Sequence, residues 1–136
     1  MIQNATTSEE KLIKAAREAK ENTYSPYSNF PVGAAVLLDN GQIFKGTNIE
    51  NASYGLTCCA ERVALFSART ASSAKVIGLA ISIGHNEAGL SKNSLVPCGA
   101  CRQVMSEFLG PEVPVYVDGN HTFTMDELLP HAFKLA

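Results

Sequence analysis

Apolar residues recur along the first third of the chain at two spacings, which distinguish a helix from a pair of strands. Four of them are spaced as on one helical face: Leu12, Ile13, Ala16 and Ala19. Thr7-Ser-Glu-Glu10, just before them, has the form of a capping box. This helix is expected to stop around Asn22, before the turn-rich YSPYSNFP. Segments 32–39 and 42–49 then flank Asp39-Asn40-Gly41, a strong β-hairpin signal.

The remainder of the chain alternates between helical and strand patterns. A helix is expected from Cys58 to about Ala71, and a second cysteine-headed helix follows Pro97 and runs to about Leu109. Between them, residues 76–84 are apolar almost throughout, as in a central strand covered on both faces. Residues 113–117 form a short strand pattern. Thr124-Met-Asp-Glu127 is another capping box, which opens a final helix into ELLPHAF.

The resulting order of elements is α-β-β-α-β-α-β-α. Such alternation is typical of a layered α/β sandwich in which helices cover a central sheet. The β-α-β crossovers should be right-handed and should place their strands parallel. With 136 residues and no linker or repeat, we expect a single domain over residues 1–136.

Composition and charge narrow the classes of partner. The formal net charge is −2 and the pI is about 5.9, so the protein has no general attraction for a polynucleotide backbone. The N-terminus lacks the apolar segment of a secretory signal, and no stretch approaches the roughly 18 apolar residues needed to span a bilayer. Four cysteines without an export signal favour a reducing compartment. We therefore expect a soluble cytoplasmic protein.

The cysteines also form a candidate metal site. Cys98 and Cys101 are spaced close to one helical turn, which suits two ligands of one zinc ion, whose thiolates lie roughly 3.8 Å apart. The other two cysteines, Cys58 and Cys59, are adjacent, and neighbours at a helix start point about 100° apart around the axis. One of them should bind and the other pack. Cys59 is the predicted ligand because it places Glu61 in the first turn of the same helix.

Three thiolates leave one zinc position open, as in catalytic sites. Cys59 and Cys98 would each sit at a helix N-terminus, where free N–H groups and the helix dipole stabilise thiolate. Three thiolates on Zn²⁺ carry a net charge of −1, which weakens the metal as a Lewis acid. Arg62 could offset this charge by donating hydrogen bonds to the sulfurs. Glu61 would serve as the general acid/base that takes a proton from water and relays it to the substrate.

Less specific interpretations exist for the same residues. Cys98 and Cys101 could form a redox pair or part of a structural zinc site. A non-catalytic zinc-stabilised module would use Cys58 as well, in a closed site of four thiolates. We expect Cys58 to be a small core residue. The three histidines, His85, His121 and His131, lack metal spacing and are expected to be non-ligands.

An ordered set of motifs resembles the small homotetrameric cytidine deaminases. These motifs are Tyr24-Ser-Pro-Tyr27, Phe30-Pro-Val-Gly-Ala34, Asn48-Ile-Glu50-Asn51-Ala52, Cys59-Ala-Glu-Arg62, Pro97-Cys-Gly-Ala-Cys-Arg-Gln103 and Glu127-Leu-Leu-Pro130. The two metal motifs match the zinc-deaminase signature, in which the glutamate is not a ligand. The resemblance covers nearly the whole chain. One departure is LLPHAF, where the family usually has glycine in place of His131.

The resemblance implies the fold, the reaction and several site residues. It implies a three-layer α-β-α sandwich whose mixed five-stranded sheet includes the N-terminal hairpin. It implies one zinc ion per subunit and hydrolysis of cytidine and 2′-deoxycytidine to uridine and 2′-deoxyuridine, with release of ammonia. The implied substrate contacts are Phe30 beside the base, the Ala60 backbone at the pyrimidine edge, Asn48 and Glu50 at the ribose 3′-hydroxyl, and Phe133 over the base. In a homotetramer, Ala52 and Tyr54 would reach the ribose in a neighbouring subunit's site.

Other deaminase substrates are weaker fits. The NIENASY segment and Phe30 favour ordinary nucleosides over a modified one such as blasticidin S. A polynucleotide deaminase would need strand-binding loops, for which there is little length. A nucleotide deaminase would need a cationic phosphate site, and no basic cluster is evident.

Overall fold

The computed structural model of the protein describes residues 7–84 and 95–135. Its elements are α1 Ser8–Lys20, β1 Val32–Leu38, β2 Ile43–Thr47, α2 Ala60–Ala71, β3 Val76–Ile83, α3 Gly99–Phe108, β4 Pro114–Val117, β5 Thr122–Thr124 and α4 Met125–Leu128. A short 3₁₀ turn, Tyr54–Leu56, precedes α2. None of the helices in the described ranges is long and apolar enough to cross a bilayer.

The strands form one mixed sheet in the order β2-β1-β3-β4-β5. β1 runs antiparallel to both β2 and β3, whereas β3 and β4 are parallel and joined through α3. β5 pairs antiparallel with β4 at the far edge. The predicted hairpin is confirmed: Gly41 takes φ +91° in its turn, a conformation that glycine adopts without steric cost.

Helices cover both faces of this sheet, which confirms the three-layer sandwich. On one face, α1 is the covering helix among the described residues, and it packs through Leu12 and Ala16 against the small residues Ala35 and Ala80. The larger core lies on the opposite face, where α2, α3 and α4 pack against β1, β3 and β4. β3 contributes to both cores, with Ala80 on the α1 side and Leu79 and Ile81 on the other. Its apolar sequence thus reflects a central strand, as predicted.

Three element boundaries differ from the pattern. β5 has only three residues, too few to show an alternation, and the pattern predicted no strand there. α4 ends at Leu128 instead of continuing into ELLPHAF, since Pro130 follows closely and lacks the N–H that a helix requires. α2 begins at Ala60, two residues after the predicted start at Cys58.

Both predicted capping motifs stand at helix starts. The Thr7 side chain accepts a hydrogen bond from the Glu10 N–H and caps α1. Thr124 and Glu127 form a complete capping box at α4, with the Glu127 carboxylate accepting from the Thr124 N–H. These side chains satisfy backbone groups that a helix terminus would otherwise leave unpaired.

Candidate metal centre and active site

Two helix N-termini bring the predicted sulfur ligands together. Cys59 is the N-cap of α2 and Cys98 is the N-cap of α3, both with extended backbone. Neither side chain forms a capping hydrogen bond, so neither sulfur is committed to its own helix. Cys101 follows in the first turn of α3 and is fully buried. The helix ends place free N–H groups and positive dipole ends beside the sulfurs.

The three sulfur atoms lie close enough for one metal ion. The Sγ atoms of Cys59, Cys98 and Cys101 are all within 4.8 Å of one another. Thiolates on one tetrahedral zinc lie roughly 3.8 Å apart, so a small contraction would satisfy the ion. Within residues 7–84 and 95–135, no further His, Cys, Asp or Glu joins this group. The donor set therefore fits a zinc site with three protein ligands.

Cys58 does not join the sulfur group, for a reason that differs from the helical argument. It lies before α2, where its backbone exchanges two hydrogen bonds of 2.9 Å with Ile49. Cys59, next along, also has extended backbone, with φ −74° and ψ 155°. Side chains of successive extended residues point to opposite sides of the chain. The separation of the two thiols thus arises from an isolated β-bridge and not from helical geometry.

The pKa values of Cys59 and Cys101 are shifted in opposite directions. A hydrogen bond from the Cys101 thiol lowers the pKa of Cys59 to about 5, with burial opposing this shift and Arg62 adding to it. The same hydrogen bond, with burial, raises the pKa of Cys101. Ionising Cys59 is thus favourable in this site, but ionising a second sulfur beside it is costly. A divalent cation bound to both sulfurs would offset that cost.

Arg62 lies where a positive charge is needed. Its Nη2 atom is 3.4 Å from the Cys59 sulfur and 3.4 Å from the Thr57 carbonyl oxygen. Its Nε is buried and has no hydrogen-bond partner within the described parts of the chain. The guanidinium thus lies against Cys59, where it would offset part of a thiolate charge.

Glu61 is a buried carboxyl group beside the same sulfurs. Only 4% of the residue is exposed. Burial raises the pKa of Glu61, and hydrogen bonds from its own backbone N–H and from the Cys101 thiol act in the opposite direction. A raised pKa lets a carboxyl group hold a proton more readily, as a general acid requires.

A cavity of about 210 Å³ opens beside the sulfurs and Glu61. Its described lining includes six residues predicted as site residues: Phe30, Asn48, Cys59, Ala60, Glu61 and Cys98. Val32, Thr57, Ile83 and Val96 also line it, and sequence reasoning assigned them no role at the site. Position in the sequence could have indicated two of these residues. Ile83 is the last residue of β3, and Val96 directly precedes the Pro97-Cys98 ligand segment. The cavity is smaller than those that hold drug-sized ligands.

Asn48 has a fixed side-chain orientation at this cavity. Its Oδ1 accepts from the Val32 N–H at 3.0 Å and from the Thr23 hydroxyl at 2.6 Å. Its Nδ2 donates to the Phe30 carbonyl at 2.8 Å. A flipped amide would face a donor with its nitrogen and an acceptor with its oxygen. One Nδ2 hydrogen is left for a further acceptor.

Glu50 holds the loop that leads to Phe30. Its carboxylate accepts from the backbone N–H groups of Tyr27 and Ser28 at 3.0 and 3.1 Å, and from the Ser28 hydroxyl. These bonds, led by that of the Ser28 hydroxyl, lower the pKa of Glu50. The Ser28 hydroxyl oxygen in turn accepts from the Phe30 N–H at 3.0 Å. Glu50 does not line the cavity of this chain, but it positions the backbone of a residue that does.

Three further predicted substrate residues lie away from this cavity. Tyr54 is 89% exposed and Phe133 is 67% exposed, and Ala52 is exposed as well. None of them is in the described lining. His131 does not take a positive φ, so the segment before Phe133 does not need the glycine that the resemblance led us to expect. His121 and His131 lie outside the sulfur group, while His85 lies outside the described residues.

Comparisons with known proteins agree with this geometry. Residues 6–117 match the family model described as the cytidine and deoxycytidylate deaminase zinc-binding region. A cytidine deaminase from Halalkalibacterium halodurans is 47% identical over 127 residues, covering 90% of this chain and 91% of that protein. One from Sporosarcina psychrophila is 45% identical over 130 residues, covering 92% and 90%.

Solved structures extend the likeness to the fold. A crystal structure of cytidine deaminase from Mycobacterium tuberculosis superposes with a TM-score of 0.82 at 37% identity, covering 96% of this chain and all of that one. The enzyme from Burkholderia pseudomallei gives a TM-score of 0.79 at 43% identity, covering 94% of this chain and 100% of that one. With its three sulfurs, buried glutamate and five-stranded sheet, this chain belongs to the cytidine and deoxycytidylate deaminase family.

Proposed function

We propose that the protein is a zinc-dependent cytidine deaminase that hydrolyses cytidine and 2′-deoxycytidine to uridine and 2′-deoxyuridine, releasing ammonia. The main observation is that Cys59, Cys98 and Glu61 line one small cavity, with Cys101 beneath them. Three sulfur ligands and a buried non-ligand carboxyl group suit hydrolysis of the bond between a ring carbon and the exocyclic amino group of a cyclic amidine. Membership of the family and the relatives' names support the same reaction.

The chain's own residues divide the work of this reaction. Cys59, Cys98 and Cys101 would hold the zinc ion, which supplies Lewis-acid activation of a water molecule. The Glu61 carboxylate would take a proton from the attacking water, whose oxygen bonds to C4 of the cytosine, and would deliver that proton to ring N3. It would then pass the proton of the new C4 hydroxyl to the 4-amino group, so that the C4–N bond breaks, ammonia leaves and the C4 oxygen becomes the uracil carbonyl. Arg62 limits the negative charge of the thiolates, so that they weaken this activation less.

Other residues would bind and orient the nucleoside. Phe30 would flank the base, and the Ala60 backbone N–H, free as the first in α2, would bond the pyrimidine edge. Asn48 would donate its remaining Nδ2 hydrogen to the 3′-oxygen of the sugar. Glu50 would accept the hydrogen of the same hydroxyl. Together these two groups read a hydroxyl as both acceptor and donor.

The cavity favours a nucleoside over charged or polymeric substrates. Its described lining contains no lysine or arginine to bind a phosphate. Its volume of about 210 Å³ leaves little room for neighbouring bases. The net charge of −2 also gives no general attraction to a polynucleotide.

We further infer that four copies assemble and share their sites. Ala52 and Tyr54 are exposed and do not line the cavity of their own chain. Large apolar side chains nearby are also exposed, with Leu56 at 70% and Phe66 at 47%. A surface of this kind is suited to burial against another copy. Mixing inactive Glu61→Gln protein with inactive Tyr54→Ala protein should restore activity if sites are shared, whereas unmixed samples should stay inactive.

Single-domain organisation over residues 1–136 and a cytoplasmic location remain proposals. One sheet spanning β1 to β5 supports the first. Four free cysteines, three of them candidate metal ligands, support a compartment that keeps thiols reduced. Limited proteolysis and cell fractionation respectively test the two proposals.

The decisive experiment measures deamination directly. Purified protein is incubated with cytidine, and loss of the 4-amino group is followed by its ultraviolet absorbance change. We expect turnover that disappears after chelation and returns with zinc, and that is absent in Glu61→Gln. Cytidine 5′-monophosphate, a cytosine-containing oligonucleotide and blasticidin S serve as competing substrates. No turnover of cytidine by zinc-loaded protein, or faster turnover of one of these competitors, would overturn the proposal.

A further inference from the structure

Arg102 links the Cys98 end of the metal centre to the C-terminal helix. It lies in the first half of α3 and is partly buried. Its Nε donates to the Pro97 carbonyl oxygen at 2.8 Å, and its Nη1 donates to the Leu128 carbonyl oxygen at 2.9 Å. One planar side chain thus bonds two backbone groups from separate parts of the fold.

The first of these bonds fixes the backbone that leads into Cys98. The Pro97 carbonyl belongs to the peptide group that contains the Cys98 nitrogen, so holding that oxygen fixes the plane from which the Cys98 side chain departs. Pro97 is itself fully buried. Cys98 is exposed and makes no capping hydrogen bond with its side chain. The direction of its sulfur therefore depends on this backbone.

The other two sulfurs have different support. Cys101 is buried in the main core, where the packing around it determines its position. Cys59 lies against the Arg62 guanidinium at 3.4 Å. Of the three candidate ligands, Cys98 is the most exposed, and the Pro97 carbonyl that Arg102 holds directly precedes it.

The second bond gives Arg102 a stationary anchor. Leu128 ends α4, and the last carbonyls of a helix have no partner within it. A cation at this end is favourable for the same reason. α4 is held in place by its capping box and by Met125 and Leu128, both buried in the main core. A rigid fork can bond both carbonyls at once, whereas a lysine is a single point donor.

We propose that Arg102 is a positioning residue for the metal centre, which holds Cys98 in ligand geometry by bonding Pro97 and Leu128 together. This inference rests on the proposed zinc site, but not on the reaction. Residues that orient metal ligands through hydrogen bonds typically contribute about 10- to 100-fold to metal affinity. Removing Arg102 should therefore weaken zinc binding by at least about 10-fold.

Three variants test the proposal. Arg102→Met removes both hydrogen bonds while keeping a long apolar stem. Arg102→Lys keeps the charge and reaches at most one of the two carbonyls. Arg69→Met is the matched control, since within residues 7–84 and 95–135 the exposed Arg69 on α2 bonds only the Ser72 carbonyl, at 3.4 Å. Each protein is loaded with zinc, and release to a chromogenic chelator is followed over time.

We expect release to be about 10-fold faster or more from Arg102→Met, faster to a lesser degree from Arg102→Lys, and unchanged from Arg69→Met. In cobalt-substituted protein, the sulfur-to-cobalt charge-transfer band should weaken in Arg102→Met, because one thiolate is no longer well placed. The rise in melting temperature on zinc binding should also shrink, which separates metal positioning from general stability. If Arg102→Met does not fold, Arg102→Lys provides the same three measurements.

Unchanged zinc release and an unchanged cobalt spectrum, even with a lowered melting temperature in both zinc-free and zinc-loaded protein, would overturn the inference. Wild-type protein that retains no zinc would overturn it too. Wild-type protein that retains zinc but leaves cytidine unchanged would sink the proposed reaction and leave the role of Arg102 intact.

Discussion

The Thr23 hydroxyl lies 2.6 Å from the Oδ1 atom of Asn48 and donates its hydrogen to it. Because an amide oxygen cannot donate, the neighbouring Ser25 hydroxyl, 2.9 Å from Thr23, must donate in turn to Thr23. With the Val32 N–H, Thr23 occupies both lone pairs of Oδ1. Asn48 is thus limited to donating toward the cavity, and Thr23 supports that arrangement from behind.

Replacing Thr23 by valine tests this network. Thr23→Val leaves one lone pair of a buried oxygen unsatisfied, so the free energy of unfolding should fall by about 1 kcal/mol in urea titrations. The KM for cytidine should rise through looser placement of Asn48. Thr23→Ser should preserve both values. Thr70→Val is a control for loss of an exposed hydroxyl, because in the described part of the chain Thr70 bonds only the Phe66 carbonyl of its own helix. Equal effects of the two valine substitutions would count against the network.

Zinc content should separate the adjacent cysteines. Cys58 pairs with Ile49 through its backbone alone, so Cys58→Ala should retain zinc and activity. Cys59→Ala and Cys101→Ala each remove a candidate ligand and should lose both. Metal analysis of purified protein measures the difference. Zinc loss in Cys58→Ala would instead favour a closed, non-catalytic site.

Glu61 should matter for turnover and not for metal retention. Glu61→Gln keeps the shape of the side chain but cannot move a proton, so kcat should fall by at least about 100-fold. Its zinc content should equal that of the wild type. Glu127→Gln, in the capping box of α4, provides a control carboxyl group outside the cavity. A Glu61→Gln protein with near-normal kcat would remove the assigned acid/base role.

Gly46 should not tolerate a methyl group. A Cβ there would lie 2.4 Å from the Ala64 nitrogen and 2.8 Å from the Ala60 carbonyl oxygen, both backbone atoms of α2. Gly46→Ala should therefore cost about 3 kcal/mol and displace the helix that bears Cys59 and Glu61. Gly55→Ala is the matched control, since nothing lies within 4 Å of a Cβ at that position. Urea unfolding of both variants gives the comparison, and a stable, fully active Gly46→Ala protein would contradict this packing.

The pair of Arg17 and Asp118 should make stability sensitive to acid. Arg17 donates two hydrogen bonds of 2.7 Å to the Asp118 carboxylate, and the Ser82 hydroxyl donates a third. These bonds, led by those of Arg17, hold the pKa of Asp118 below its usual value of about 3.9. A carboxyl group with a lowered folded-state pKa stabilises the fold above its unfolded-state pKa. That stabilisation is lost as pH falls through the lowered value.

The measurement compares wild type with Asp118→Asn by urea unfolding of zinc-free protein. The wild type should be more stable at neutral pH, and its advantage should shrink as pH falls below about 4. Using zinc-free protein keeps metal loss at low pH out of the result. An advantage that is constant down to strongly acidic pH would show that Asp118 contributes nothing through its charge.

Sequence patterns predicted the elements that leave strong local signals in the chain. The hairpin around Gly41 and the central strand β3 are examples, because a positive φ and burial on both faces leave strong local signals. β5 left none, since three residues at a sheet edge show no alternation. Its existence depends on pairing with β4, a contact that local sequence does not encode.

At the candidate site, the sequence indicated the metal-ligand and acid/base residues more clearly than the residues that position them. Cys59, Cys98, Cys101 and Glu61 could be singled out because few residue types bind zinc or move protons. The roles of Thr23 and Arg102 could not, since each depends on a carbonyl or amide group that only the fold brings near. Ordinary polar residues in a turn or on a helix give no local indication of such partners.

The two N-cap cysteines, Cys59 and Cys98, are far apart in the sequence, because α2 and β3 lie between them. An ion bound to both sulfurs would act as a reversible cross-link between the two ends of this segment. Because the ion binds only the folded form tightly, its binding stabilises that form by mass action. The cell's zinc supply would then affect how fast the protein is degraded. Scarcity of zinc would lower the amount of protein as well as the fraction of it that carries zinc.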